Sequence, residues 1–98
     1  MKNFLFLLSV LLVTVSFGQT AEEYKNQGNA KYDLQDYRGA ILDFTKAIEL
    51  DPKNAILYYN RGLAKNALSY TDGACLDWSK AGELGYAHAY DRIKKYCN

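Results

Sequence analysis

Small and large side chains recur along this 98-residue chain at one constant offset. Gly28 and Gly62, Ala40 and Ala74, Phe44 and Trp78, and Ala47 and Ala81 each stand 34 residues apart. Tyr24 with Tyr58 and Lys46 with Lys80 keep the same interval. A pattern repeated at this length marks a supersecondary unit that buries its apolar face against its neighbour. The small residues let two antiparallel helices approach closely, and the large ones fill the space between them. On this reading these side chains are core.

The segment from Asp36 to Gly62 reads as a helix, a stop and the start of a second helix. Tyr37, Ala40, Ile41, Phe44, Ala47 and Ile48 fall at helical spacing. Asp51 and Pro52 end the run, because proline lacks an N–H and pushes its predecessor out of the α region. Asn54 can cap the next helix. Upstream, Thr20 and Glu23 have the spacing of a capping box, predicting a first helix to about Leu34 that carries Tyr24, Gly28 and Tyr32. Asp36 caps a second helix, Tyr37 to about Leu50, and a third runs from Ala55 to about Leu68. Ser69, Tyr70, Thr71 and Asp72 offer capping groups for a fourth, to about Leu84, with Ala74, Trp78 and Ala81 on one face. Gly82 inside it costs up to about 1 kcal/mol against alanine and predicts a frayed end. Gly85 suits a left-handed C′ position. A fifth helix, Tyr86 to Tyr96, would lay Tyr90, Ile93 and Tyr96 on the fourth.

Residues 21–54, with Asp36, Tyr37, Ala40 and Pro52 in place, resemble the tetratricopeptide repeat, a helix–turn–helix unit of this period. The second unit departs from the pattern. Tyr70 and Thr71 replace the Asp–Tyr pair, and Gly85 and Tyr86 stand where Asp–Pro would be. Its later half, from Ala74 through Trp78, Ala81 and Gly85 to Ala89, is similar to a Sel1-type repeat. The resemblance implies an all-α antiparallel helix-turn-helix solenoid: repeat one at 21–54, repeat two at 55–85 and a capping helix at 86–97. Arrays of this kind need atypical terminal caps, the role given to the fifth helix.

Enzyme chemistry finds little support. No Ser/His/Asp arrangement is assembled around the one histidine, His88, and no glycine-rich phosphate loop follows a strand. Cys75, Cys97 and His88 lack zinc-ligand spacing, no C-x-x-C pair depresses a thiol pKa, and no cofactor is implied. Cys75 and Cys97 are either a disulfide or two thiols packed as small hydrophobes. The resemblance implies the disulfide, because the residue after the repeat's second small alanine faces the next helix. Such a bond contributes roughly 3 kcal/mol on chain-entropy grounds.

In tetratricopeptide arrays the first helix of each pair lines a concave surface that holds an extended peptide. Carried over, that surface comprises Glu22, Lys25, Asn29, Tyr32 and Asp33, then Ile56, Tyr59, Asn60 and Leu63, then Tyr90 and Lys94. Lys25, Asn29, Asn60 and, nearly, Lys94 stand where the carboxylate-clamping subset of the family has its basic and amide side chains. An ammonium and two amides can satisfy both oxygens of a carboxylate. The other basic position of that clamp is Tyr90. The resemblance implies a protein or peptide partner, with the groove residues Lys25, Asn29, Tyr32, Tyr59, Asn60, Leu63 and Lys94, and with Tyr32 and Tyr59 as flat anchors. The structural alternative is a module that self-associates by stacking end to end.

Residues 1–18 read as a signal peptide. Lys2 supplies the positive start, Phe4 to Phe17 is uncharged and apolar, and Ser16 and Gly18 are small at the positions a signal peptidase reads. The run is shorter than the ~20 residues of a spanning helix; an uncleaved anchor is the alternative. No cysteine stands near the cleavage site, so a lipoprotein anchor is not indicated. The domain at 19–98 then carries 11 basic and 11 acidic residues, Lys2 being the only charge before Glu22, so neither nucleic acid nor an anionic membrane surface is indicated. The chain is thus expected to be exported, into a bacterial periplasm or the medium, as a peptide-binding module with no small-molecule substrate evident. Cleavage after Gly18 predicts that the intact mass of the exported protein begins at Gln19; a mass that still includes Met1 to Gly18 refutes the leader.

Overall fold

The computed structural model describes residues 18–98, so the expected leader lies, Gly18 aside, outside the described residues. Five helices run in order: α1 (Ala21–Asp33), α2 (Tyr37–Leu50), α3 (Ala55–Ala67), α4 (Thr71–Glu83) and α5 (His88–Tyr96). Each packs on the next along the chain, while α1 touches α3 only lightly. The result is the antiparallel helix-turn-helix stack of two repeats and a closing helix, with no strand among the described residues.

Local chemistry sets most of the boundaries. Thr20 Oγ1 accepts from the Glu23 N–H at 3.1 Å and Glu23 Oε1 accepts from the Thr20 N–H at 3.0 Å, a complete capping box. Asp36 accepts from the Gly39 N–H, and Asn54 from the Ile56 N–H, so α2 and α3 also start on side-chain caps. Tyr58 donates its hydroxyl to the Pro52 carbonyl at 2.9 Å and ties the turn between them.

Two expectations fail at α4. None of the polar side chains between Ser69 and Asp72 caps it: the N-cap is Tyr70, without a side-chain bond. The reason lies in the preceding turn. Ser69 adopts φ +66°, and the Ser69 and Tyr70 N–H groups donate to Asn66 and Lys65 carbonyls, closing the C-terminus of α3. Gln35 closes α1 in the same way at φ +64°, but there the next residue is Asp36, which can cap, and here it is a tyrosine. Nor does Gly82 mark a frayed end. It is buried, and a Cβ there would lie 2.7 Å from Tyr90 Cζ, so the missing side chain is the seat of a ring.

That seating recurs. A Cβ on Gly28 would fall 2.7 Å from Phe44 Cε1, and one on Gly62 would fall 2.6 Å from Trp78 Nε1. Phe44, Trp78 and the alanines at 40, 47, 64, 74, 81 and 89 are the buried core, together with Leu57. The fifth helix begins at His88 rather than Tyr86, because the Tyr86 N–H donates to the Ala81 carbonyl and Gly85 turns left-handed at φ +104°, closing α4 first. Its buried residue is Ala89, with Ile93 and Tyr96 beside it against α4; Tyr90 is half exposed.

A second repeated element is polar. Asp43 and Asp77, 34 residues apart, are both buried. Lys31 Nζ lies 2.9 Å from Asp43 Oδ2, and Lys65 Nζ lies 3.0 Å from Asp77 Oδ2, the equivalent contact one repeat on. In repeat two Arg61 also forks onto Asp77, Nε at 2.9 Å and Nη2 at 2.7 Å, while its Nη1 donates to Thr45 on α2. Asp43 raises the Lys31 ammonium above its ordinary 10.5, first by the hydrogen bond. The contribution of that pair is therefore complete below pH 10.5 and lost as pH rises through the higher folded value. Removing one partner of the repeat-two network strands the other charges under cover. Asp77→Ala is predicted to destabilise the fold by about 3 kcal/mol, read as the loss in urea denaturation; a change within ~0.5 kcal/mol shows that Arg61 and Lys65 find water instead.

Candidate functional site

The helices α1, α3 and α5 share one face, and contacts across it are side chain to side chain. Asn60 Nδ2 donates to Asn29 Oδ1 at 3.2 Å, joining α3 to α1. Arg92 Nε donates to the Tyr59 hydroxyl at 3.0 Å, joining α5 to α3. Between α3 and α5 lies a cleft of about 370 Å3 lined by Tyr59, Tyr86, His88, Asp91, Arg92 and Lys95. Tyr59 and Tyr86 meet edge to face, their centroids 4.8 Å apart, which fixes both rings at the cleft floor.

The residues carried over from the sequence are distributed unevenly around this cleft. Tyr59 is part of it. Asn29 and Asn60 are adjacent but bonded to each other, and Lys25 pairs with Glu22 of its own helix at 3.0 Å, so these three are partly engaged in the resting molecule. Tyr32 sits against Tyr37, edge to face at 5.2 Å. Leu63 is half-buried and packs on the Ala74–Trp78–Ala81–Ala89 cluster, so it serves the core. Lys94 is exposed on α5 and does not line the cleft. Arg92 and Lys95 supply the cations there, and His88 lies at its rim 5.3 Å from Tyr86, ring to ring.

The displacement has a physical cause. With Gly85 closing α4 and Tyr90 seated over Gly82, the side of α5 facing α4 carries Ala89, Tyr90, Ile93 and Tyr96. The neighbouring stripe at 88, 92 and 95 therefore turns to the groove. Tyr90, Ile93 and Tyr96 meet α4 as the sequence predicts, but the groove residues carried over for this helix, Tyr90 and Lys94, fall one position short of the cleft and pass over Arg92, Lys95, Tyr86 and Asp91. The small residue Ala89 at helical spacing from Ile93 is the available signal.

The electrostatics agree with this placement. The Tyr59 hydroxyl, as hydrogen-bond partner, raises the Arg92 guanidinium above its ordinary value. Burial lifts the Tyr32 phenol above 10.0, with Tyr37 adding to the lift and the Arg92 cation opposing it. Cys75 and Cys97 are joined in a disulfide that ties the C-cap of α5 to α4. No cluster of three metal-ligating side chains occurs among the described residues, and no helix there is long and apolar enough to cross a membrane.

Comparison with known proteins agrees with this architecture. A family model described as TPR repeat matches residues 28–68. The TPR domain of Arabidopsis OM64 superposes with a TM-score of 0.70 at 31% identity, over 78% of this chain and 67% of that one. The chain belongs to the tetratricopeptide repeat family. The family's fold is a non-enzymatic scaffold for protein–protein contacts. Among curated relatives, the Protein STIP1 homolog of Dictyostelium discoideum is 58% identical over 40 residues, 41% of this chain. Hsp70-Hsp90 organizing protein 3 of Arabidopsis thaliana is 55% identical over 38 residues, 39% of this chain. The match spans 7% of each of these longer proteins.

Within this tetratricopeptide chain the Arg92 charge reaches Tyr32 across the groove. Arg92→Gln removes the effect that lowers the Tyr32 pKa, so Tyr32 is predicted to titrate higher still in that variant, followed by the tyrosine ring carbons in NMR; an unchanged or lower midpoint shows that the two do not face each other.

Proposed function

We propose that this chain is an exported interaction module that binds a polypeptide segment in the groove formed by α1, α3 and α5, with the α3–α5 cleft as its anchoring subsite. One observation carries the reading: Tyr59, Tyr86 and Arg92 are held by one another before any ligand arrives. Ordered aromatic and guanidinium groups lose little entropy on binding, and such residues dominate contact energies. A chain laid along the groove would meet Asn29, Asn60 and Lys25 next, with amides able to pair with its backbone. Arg92 and Lys95, outnumbering Asp91 in the cleft, favour an acidic side chain or a terminal carboxylate at this end. The name of the Arabidopsis relative says that it organizes Hsp70 and Hsp90, which supports a protein ligand for the segment the two chains share.

Stacking end to end is less well supported. Glu23 and Gln27 on the outer face of α1 stand where α3 has Leu57, fully buried, and Arg61. At the other end α5 exposes Asp91, Lys94 and Lys95. Both ends are polar, as terminal caps of a solenoid are.

The test is selection from a random peptide library displayed with free C-termini, using wild type beside a Tyr59→Ala/Arg92→Ala variant whose fold is confirmed by circular dichroism. Wild type is expected to enrich peptides that the variant binds at least ~10-fold more weakly, and amidating their C-termini tells a terminal carboxylate from an internal acidic residue. Equal binding by both, or no enrichment by wild type, removes the groove reading.

A further inference from the structure

Most of the α3–α5 cleft is built by the chain beyond α4. Tyr59 comes from α3, while Tyr86, His88, Asp91, Arg92 and Lys95 all lie past Glu83. The helix that presents four of them is short. α5 has 9 residues, no side-chain N-cap, and Ala89 as its buried residue. A helix of that length is marginal without tertiary support. Its support is the contact of Ala89, Ile93 and Tyr96 with α4, the Arg92–Tyr59 bond, and the disulfide from Cys97 at its C-cap to Cys75 in α4. The disulfide is accessible. A shallow hollow of about 320 Å3, lined by Thr71, Asp72, Cys75, Tyr96, Cys97 and Asn98, opens onto it, and both cysteines are half-buried.

We propose that the Cys75–Cys97 disulfide is a redox switch for the groove: oxidised, it holds α5 and its share of the cleft in place, and reduced by a dithiol, it releases them. The inference rests on the groove reading above. The chemistry is exchange. A thiolate of the dithiol attacks one sulfur, the Sγ–Sγ bond breaks, and a mixed disulfide forms. The dithiol's second thiol then displaces the protein sulfur. Two electrons and two protons pass to the protein, leaving two cysteine thiols, and the reductant leaves as its own disulfide. Opening a bridge with a sequence separation of 22 frees chain entropy that shifts the docked-to-released ratio of α5 by on the order of 100-fold. Release withdraws Arg92 and Lys95 from the groove. It also uncovers Trp78, which is fully buried with the Tyr96 ring 5.7 Å from its own.

Trp78 is the chain's single tryptophan, so its fluorescence reports α5 directly. Acrylamide quenching is measured on the oxidised protein, on the same protein after dithiothreitol, and on a Cys75→Ser/Cys97→Ser variant. The oxidised form is expected to be shielded and the other two quenched several-fold more strongly, with most of the helical circular dichroism retained and shielding restored by glutathione disulfide. Equal shielding after reduction shows that packing alone holds α5 and overturns the switch. Loss of all helical signal shows that the bond staples the whole fold and overturns it equally. In the second arm, peptides that the oxidised protein selects from the library are expected to bind at least ~10-fold more weakly after reduction, and unchanged binding overturns the switch. A library that yields no peptide overturns the groove reading and the switch's target with it, while quenching still decides by itself whether the bond governs α5.

Discussion

A large ring pressed onto a glycine is the contact on which the rest of this molecule depends. Phe44 over Gly28 sets the distance between α1 and α2, and Trp78 over Gly62 sets that between α3 and α4. Any side chain at these glycines would have to occupy the space of an aromatic ring fixed in a close-packed core, and rigid interiors do not yield that space cheaply. Because the pairs share one spacing, the repeats present their first helices at the same depth, and a continuous groove results. Trp78 takes this one step further: its Nε1 donates to the Tyr59 carbonyl at 3.3 Å, so the core residue of repeat two also fixes the backbone of a groove residue.

The buried aspartates act differently from the rings. Ring contacts set spacing but tolerate sliding along a helix axis, whereas a carboxylate held by Lys65 and forked by Arg61 admits little displacement. Arg61 extends the constraint beyond its own repeat through Thr45, whose hydroxyl in turn donates to the Ile41 carbonyl. Repeat one has Gln27 where repeat two has Arg61, and Asp43 there meets Lys31 alone among the described residues. The interface between repeats therefore carries the stronger polar lock, and the outer repeat the weaker one.

How much of the fold is legible in the sequence depends on where each signal resides. The first three helix starts are readable because Thr20, Asp36 and Asn54 cap through side chains, a local chemistry that spacing reveals. The start of α4 is not, because Ser69 is used up in the backbone turn behind it. Gly82 misleads for a related reason: a propensity scale counts the entropy cost of a glycine and is blind to a ring arriving from residue 90. Asp43 and Asp77 keep the repeat offset and are legible in principle, yet polar residues inside a helix ordinarily read as solvent-facing. The groove face of α5 is lost by one position of rotation, because the carry-over from the family names Tyr90 and Lys94, whereas Tyr90 lies over Gly82 and it is Arg92 and Lys95 that line the cleft.

The same rotation explains why the cleft is the most conditional part of the structure. On α1 and α3, groove residues lie on 13-residue helices that end in full closing turns and are packed along their length. On α5 they ride a helix of 9 residues held to α4 by Ala89, Ile93, Tyr96 and the Tyr90 ring on Gly82, and whose far end is held covalently. A solenoid has to stop somewhere, and its last helix has a neighbour on one side only. By placing Arg92 and Lys95 on that helix, the fold puts its most chemically distinctive groove side chains on the element with the least packing behind it. The geometry of the cleft is then governed by the contacts that hold α5 down, Ala89 among them, and these are also what cover Trp78.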